Sequence, residues 1–265
     1  MRFADWTFVS ESKSDSESPA GRLPFAGALS LLLSVLFCSL VPASSQTGQF
    51  LPQVNISYKV NPTVRLNLQA KETREAGDPT QAEIGPSLDL FAKPLVSLEN
   101  IPIFDPDLAK SRLLQWSIGY RNVSSPDEPI IARLQMGFIS NFPLPAKVLM
   151  TNRNRANLDW STEPFVWRYQ NRVQLQRAVS IRSYRPAPYA SAEVFYQSKC
   201  EKWSTTALSA GCLFPIHARL AIEIYYEHQN QTGKHPNEQL NQLGLTLNVY
   251  TRTSAGAVRN RRARP

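Results

Sequence analysis

Cysteine and histidine are both scarce in this chain of 265 residues, which contains three of each. Three cysteines cannot form the dense disulfide framework of a small secreted domain, so that class of protein is excluded. The histidines, His217, His228 and His235, lie apart and match no metal-ligand spacing. No Cys-x-x-Cys motif occurs. We therefore expect neither a metal site nor any other cofactor.

Long apolar runs are also rare, and only residues 23–41 form one, with Arg22 just before it. Small residues follow, so we predict a secretory signal peptide over 23–45, cut after Ser45. The alternative is an uncleaved anchor, because about 20 apolar residues can span a bilayer. Residues 1–22 are acidic and rich in serine, unlike the start of a signal. We predict that they are a disordered extension or precede the true start of the protein.

What the remaining chain does have is alternation of apolar and polar residues. In the last such run Leu243, Leu245, Leu247 and Val249 alternate with polar residues and glycine. Only an extended strand has a side-chain period of two, so each run predicts a strand with one apolar and one polar face. Turn signals separate the runs. Strands are predicted at 50–60, 63–74, 82–93, 112–123, 129–141, 147–160, 165–178, 189–198, 203–214, 219–229 and 239–251.

A count of eleven strands conflicts with a bacterial outer-membrane barrel, because such barrels almost always have an even number of strands. The fold class that we predict is all-β: an antiparallel up-and-down transmembrane β-barrel of 10–12 strands over residues 46–251. Twelve strands are favoured, with the missing one over residues 95–104, and ten is the other possibility. Closure into a barrel leaves no unpaired edge, which is what spanning a membrane with strands requires.

The two faces of the predicted strands separate charge from apolar surface. The apolar face includes Trp116, Ile118, Met136 and Ile224, with tryptophan and tyrosine of the kind that form interface girdles. The opposite face carries arginine more often than lysine, which suits paired charges in a confined lumen. The predicted lumen charge network consists of Arg153, Arg155, Asp159, Arg168, Arg172, Glu193, Glu223 and Glu227.

Two functions are open for this network. The arginines on adjacent strands can form an anion-binding or anion-selective lumen. Alternatively, arginine–carboxylate pairs fill a narrow barrel and rigidify it, as is usual in small barrels. The sequence favours the structural role.

Several motifs, in this order along the chain, carry a family resemblance. They are TNRNRANLDW from Thr151, FVWRYQNRVQLQR from Phe165, SAEVFY from Ser191, YYEHQN from Tyr225 and NQLGLTLNVY from Asn241. Together they resemble the bacterial barrel family known as domain of unknown function 2490, over roughly residues 50–250. The resemblance implies an outer-membrane-type barrel of Gram-negative-like bacteria. It implies no activity and no catalytic residues.

The last predicted strand is similar to the C-terminal assembly signal of outer-membrane proteins, with polar Gln242 and Gly244 followed by apolar residues. It departs from that signal because residues 252–265 follow, a basic stretch that we predict to be a disordered tail. Such a tail can also touch anionic lipid headgroups.

The sequence thus predicts a protein of the cell outer membrane that is either structural or a pore for a small solute such as an anion. The expected partners are outer-membrane lipids, the outer-membrane assembly machinery and a small anionic solute, with no nucleic acid. One alternative is a lipid-acting outer-membrane hydrolase, although no convincing serine–histidine arrangement is present and we expect no enzyme. Another is a periplasmic lipid-binding β-barrel with its apolar face inward.

Overall fold

A computed structural model describes residues 47–92, 103–107, 109–160, 165–232 and 237–251. The predicted N-terminal extension, signal peptide and basic tail lie outside the described residues. Eleven strands are present: β1 Thr47–Asn61, β2 Val64–Glu75, β3 Asp78–Phe91, β4 Leu114–Ser124, β5 Ile131–Leu144, β6 Val148–Trp160, β7 Val166–Arg177, β8 Ala187–Gln197, β9 Lys202–His217, β10 Leu220–Gln231 and β11 Glu238–Tyr250. A short 3-10 turn, Pro145–Lys147, joins β5 to β6. No helix among the described residues is long and apolar enough to cross a membrane.

The strands form one closed barrel in which each strand pairs with the next one along the chain. All of these pairs are antiparallel, and the barrel closes by a parallel pair of β1 and β11, with Val54 opposite Leu247. The predicted all-β barrel is therefore confirmed. Each of the eleven predicted strands matches an observed one to within four residues at either end.

The preference for twelve strands was wrong, and so was the expectation of purely antiparallel pairing. An even number follows only if the first and last strands must also be antiparallel. Here β1 and β11 run in the same direction, and a parallel ladder satisfies the backbone groups of both edges as well. Most of the stretch proposed for the twelfth strand lies outside the described residues, and Ile103 and Phe104 at its end are not in a strand.

The barrel has two rims, which we call the N rim, where β1 begins, and the C rim, where β11 ends. At the N rim Ala76 and Gly77 join β2 to β3, with φ angles of 52° and 96°. Two successive residues with positive φ form the hairpin turn whose twist matches that of the flanking strands. Glycine takes up one of these positions without steric strain.

The side chains alternate between the outside and the inside of the barrel, as the sequence pattern requires. Leu243 and Trp116 point outward and are 51% and 48% exposed. Glu193 and Glu227 point inward and are only 4% and 5% exposed. This barrel thus buries carboxylates and arginines and exposes its large apolar side chains, which is the reverse of a soluble protein.

Candidate functional site

Inward-facing charges at the middle of the barrel form an ion-pair cluster on β6, β7, β8 and β10. Arg172 and Glu193 are direct partners in the ladder of β7 and β8. Arg172 donates to Glu193 Oε2 from Nε at 2.8 Å and from Nη2 at 2.5 Å. Its Nη2 also reaches Glu227 Oε2 at 3.4 Å, and Arg153 Nη2 donates to Glu193 Oε1 at 3.2 Å. Glu193 therefore bridges two arginines that face each other across the ladder of β6 and β7.

A second ion-pair cluster lies nearer the N rim. Arg133 holds Asp159 with two hydrogen bonds, Nε to Oδ1 at 2.6 Å and Nη2 to Oδ2 at 2.9 Å. The third nitrogen of the same guanidinium, Nη1, donates to Glu83 Oε1 at 2.7 Å. Because three charge-assisted bonds converge on one planar group, this cluster joins β3, β5 and β6 with fixed geometry.

The eight residues predicted as one charge network are therefore not one cluster. The structure brings together Arg153, Arg172, Glu193 and Glu227 and places Asp159 in the second cluster. Arg168 instead meets the side-chain amide of Gln197, whose oxygen accepts from Nη2 at 2.7 Å and from Nε at 3.2 Å. Glu223 accepts from Tyr189 Oη at 2.5 Å. Arg155 makes no hydrogen bond or ion pair with any described residue. The functional role of these eight residues stays a prediction.

Arg133, Glu83, Arg65 and Asp89 also occupy polar positions of the predicted strands, but the predicted network does not include them. For the loop between β3 and β4 the sequence predicted only a possible strand over residues 95–104 and no contacts with the barrel interior. The described residues of this loop next to β4, 103–107 and 109–113, lie inside the C rim, and we call them the mouth segment. No periodic pattern marks such a segment, because its contacts are made with many different strands.

The apolar anchor of the mouth segment is Phe104. Its ring lies edge-on to that of Tyr250, with the ring centroids 5.9 Å apart. It also packs against three buried inward-facing residues of β8, β9 and β10, which are Ala187, Leu213 and Ala221. These contacts place the segment inside the barrel, in the space that the strands enclose at this end.

Polar contacts hold the other side of the mouth segment. The Asp107 carboxylate pairs with Arg65, and its backbone carbonyl accepts from Lys59 Nζ at 3.0 Å. Lys110 Nζ reaches across to Gln176 Oε1 on β7 at 3.0 Å. Asp107 is 5% exposed, so its charge is desolvated and compensated by the arginine.

Asn141 on β5 ties down the backbone of the same segment. Its Nδ2 donates to the carbonyl of Arg112 at 2.9 Å and to that of Ala109 at 3.4 Å. The Arg112 guanidinium in turn donates to the carbonyls of Pro62 at 3.0 Å and Ala92 at 3.3 Å. Strands β1, β2, β5 and β7 to β11 thus contact the mouth segment, which lies across the C rim.

A polar cavity of about 400 Å³ lies inside the barrel. Side chains from every strand except β9 line it. Tyr225 and Tyr189 form part of the wall, and Gly211 and Gly244 on the neighbouring strands leave the space for the Tyr225 ring. The cavity and the ion-pair clusters together make the interior of the barrel the candidate functional site.

The outer surface carries two kinds of feature. Near the N rim Trp167 stacks on Tyr196 with 5.2 Å between the ring centroids, and Trp203 meets the same tyrosine edge-on at 5.8 Å. At mid-height of the adjoining strands Asn154 Oδ1 accepts from Tyr169 Oη at 2.5 Å and from Asn171 Nδ2 at 2.8 Å. The outer face is therefore apolar but not uniformly so.

His228 also belongs to the outer face. Its Nδ1 lies 2.9 Å from Asn241 Oδ1, which also accepts from Tyr226 Oη at 2.6 Å. His217, which lies between the strands predicted at 203–214 and 219–229, is instead the last residue of β9. His235 lies outside the described residues.

Comparison with known proteins adds no relative. Neither a protein-family model nor a curated protein sequence matches this chain. The geometry of the barrel itself is therefore the basis for inferring its function.

Proposed function

We propose that this chain is an outer-membrane β-barrel protein whose outer face contacts lipid and whose charged interior serves a structural role. The observation that carries the proposal is the orientation of the side chains in a closed barrel. Outward-facing Ile118, Ile224 and Leu175 are each more than two-fifths exposed, and they are a few of many such residues. Soluble monomers rarely expose so much contiguous apolar surface, whereas a lipid-facing barrel requires it.

The same orientation argues against the periplasmic lipid carrier. A carrier needs an apolar interior for the acyl chains, but the interior of this barrel holds buried Glu193, Asp89 and Arg121. Fractionation tests the membrane location. We expect the protein in the outer-membrane fraction, resistant to carbonate extraction, with a folded form that migrates differently on gels before and after boiling. Recovery in the carbonate supernatant without detergent would contradict the proposal.

Two observations support a structural interior over an open pore. Four of the described arginines inside, Arg65, Arg133, Arg153 and Arg172, are paired with carboxylates, and the mouth segment lies across the C rim. In planar bilayers we expect the refolded protein to conduct poorly. Replacing Phe104 with alanine and Asp107 with asparagine together should release the mouth segment and increase conductance. A large, stable conductance of the wild-type protein would favour the pore instead.

The hydrolase alternative stays a prediction with its own test. His228, the histidine that the sequence placed on a strand, points outward and bonds to Asn241. A serine-directed fluorophosphonate probe that labelled the refolded protein would favour a hydrolase.

A further inference from the structure

Among the residues that line the interior cavity, cations outnumber carboxylates. Three carboxylates line it, which are Glu83, Asp89 and Glu223. Twice as many cations line it, which are Arg65, Lys71, Arg121, Arg153, Arg155 and Arg172. Since the cavity lies inside a closed wall of strands, water screens these charges less than it does at a surface.

Ion pairs hold only three of these six cations, which are Arg65, Arg153 and Arg172. Three of the six cations make no ion pair with any carboxylate of the described residues. Arg121 donates to the carbonyls of Gly85 and Tyr120 and to Gln69 Oε1 at 2.8 Å, all of them neutral groups. Lys71 and Arg155 form neither hydrogen bonds nor ion pairs within the part of the chain that the structure describes.

The carboxylates nearest to these cations are already engaged. Glu83 is the ladder partner of Lys71, but its Oε1 accepts from Arg133 at 2.7 Å. Glu193 attracts Arg155, but it holds Arg153 and Arg172 through hydrogen bonds. The nearest neighbours of the Arg155 guanidinium include like charges, which repel it.

An orphaned donor lies in the same place. Arg153 Nε is buried and has no hydrogen-bond partner among the described residues. Native proteins rarely leave a buried donor without a hydrogen bond, so a specific cause is expected where one occurs. Here the donor belongs to a residue that lines the cavity and is flanked by the unpaired Arg155.

We propose that the cavity binds a small inorganic oxyanion of the phosphate or sulfate type, held by Arg155, Lys71 and the free Nε of Arg153. Guanidinium groups match the geometry of an oxyanion, and two or more guanidinium groups neutralise the charge of the anion. The polar lining and the volume of about 400 Å³ leave room for such an anion with its remaining water. The proposal deepens the proposed function, because it rests on the same charged interior and names its ligand.

The test measures unfolding of the refolded protein in detergent, by the temperature at which the heat-modifiable gel band is lost. The protein is titrated with inorganic phosphate and, in a parallel experiment, with sodium chloride at the same ionic strength. The variants are Arg155→Gln and Lys71→Gln, which keep polar side chains in the cavity. The matched control is Arg74→Gln, since Arg74 faces solvent beside Glu72.

We expect phosphate to raise the unfolding temperature of the wild type and of the control. Arg155→Gln should weaken the apparent phosphate affinity about tenfold or more, because a charge-assisted bond is lost. Without phosphate, this variant should be at least as stable as the wild type, because an unpaired charge inside the barrel has been removed. These two results together support the proposal.

Two outcomes would overturn it. One is a wild type that responds to phosphate no more than to chloride. The other is an Arg155→Gln variant that responds like the wild type. Because the assay uses protein refolded in detergent, its result is independent of the fractionation that tests the membrane location.

Discussion

The aromatic ring of Tyr225 occupies the space where a side chain at Gly244 would begin. A Cβ atom at Gly244 would collide with the ring, and one at Gly211 would come within 2.6 Å of Tyr225 Cβ. The two glycines are the ladder partners of Tyr225 on its two neighbouring strands. The interior wall therefore depends on glycine at both positions.

Gly244→Ala should accordingly destabilise the barrel. The tyrosine must leave its position, and overpacking of this kind costs about 1–3 kcal/mol in the free energy of unfolding. The control is Gly48→Ala, because nothing lies within 4 Å of a Cβ built at Gly48. Urea unfolding followed by tryptophan fluorescence in detergent measures both variants. Equal stabilities of the two would show that the Tyr225 ring moves aside without cost.

Arg172→Ala tests the central ion-pair cluster. The change leaves the Glu193 carboxylate, whose side chain is 3% exposed, with Arg153 as its one remaining arginine partner among the described residues. Breaking a buried pair in this way costs about 3–5 kcal/mol at most, because a desolvated charge loses its main partner. We expect the folded gel band to be lost at a clearly lower temperature.

Two further variants make that result specific. Arg74→Ala removes an exposed pair with Glu72 and should change stability by no more than about 1 kcal/mol. Arg168→Ala removes contacts with a neutral amide and should fall between the two. An Arg172→Ala variant as stable as Arg74→Ala would refute a structural role for the cluster.

Acidification should strengthen docking of the mouth segment through Asp105. Burial, together with the nearby carboxylate of Asp107, raises the pKa of Asp105 above its ordinary value of 3.8. The docked segment thus favours the protonated carboxyl. Its stabilising contribution is complete below the ordinary pKa and is lost as the pH rises through the raised value.

Thiol labelling of Ala109→Cys detects undocking, because Ala109 is buried in the docked segment. Cys200 and Cys212 are first replaced with serine. The labelling rate of this protein is divided by the rate of a second protein that also carries Asp105→Asn. We expect this ratio to increase from about pH 4 to about pH 8. Lys110, whose pKa burial lowers, is present in both proteins, so its own titration cancels. A ratio that is flat over this range would contradict the prediction.

A charge on the outer face tests contact with lipid. Ile224 lies at mid-height of β10 and is 45% exposed, so arginine there would meet hydrocarbon if the barrel is inserted. We expect Ile224→Arg to destabilise the inserted barrel by about 2–4 kcal/mol, measured by refolding into lipid vesicles. Ile130→Arg is the control, because Ile130 lies in the loop between β4 and β5 and should cost about 1 kcal/mol or less. Equal folding of both variants into vesicles would count against a lipid-facing surface.

The sequence predicted the strands and their faces because both depend on local alternation. Leu243, Leu245 and Leu247 share a face in any extended strand, whatever its partners are. The register between two paired strands depends on residues in both strands and not on local alternation alone. Arg172 and Glu193 are direct ladder partners, but no pattern in either strand alone specifies that they meet.

The errors have the same origin. The parallel closure of β1 with β11 joins Thr47 to Leu240, nearly the full length of the barrel apart in sequence. The mouth segment similarly contacts Lys59, Gln176 and Tyr250, which lie far from it along the chain. Alternation predicts which residues are in strands, but it carries no information about such distant contacts.

An odd number of strands has one topological consequence for an inserted barrel. The chain enters β1 at one rim and leaves β11 at the other, so Thr47 and Tyr250 lie at opposite rims of the barrel. A barrel with an even strand count would return both ends to the same compartment. In an inserted barrel Thr47 and Tyr250 would therefore lie next to the solutions on opposite sides of the bilayer.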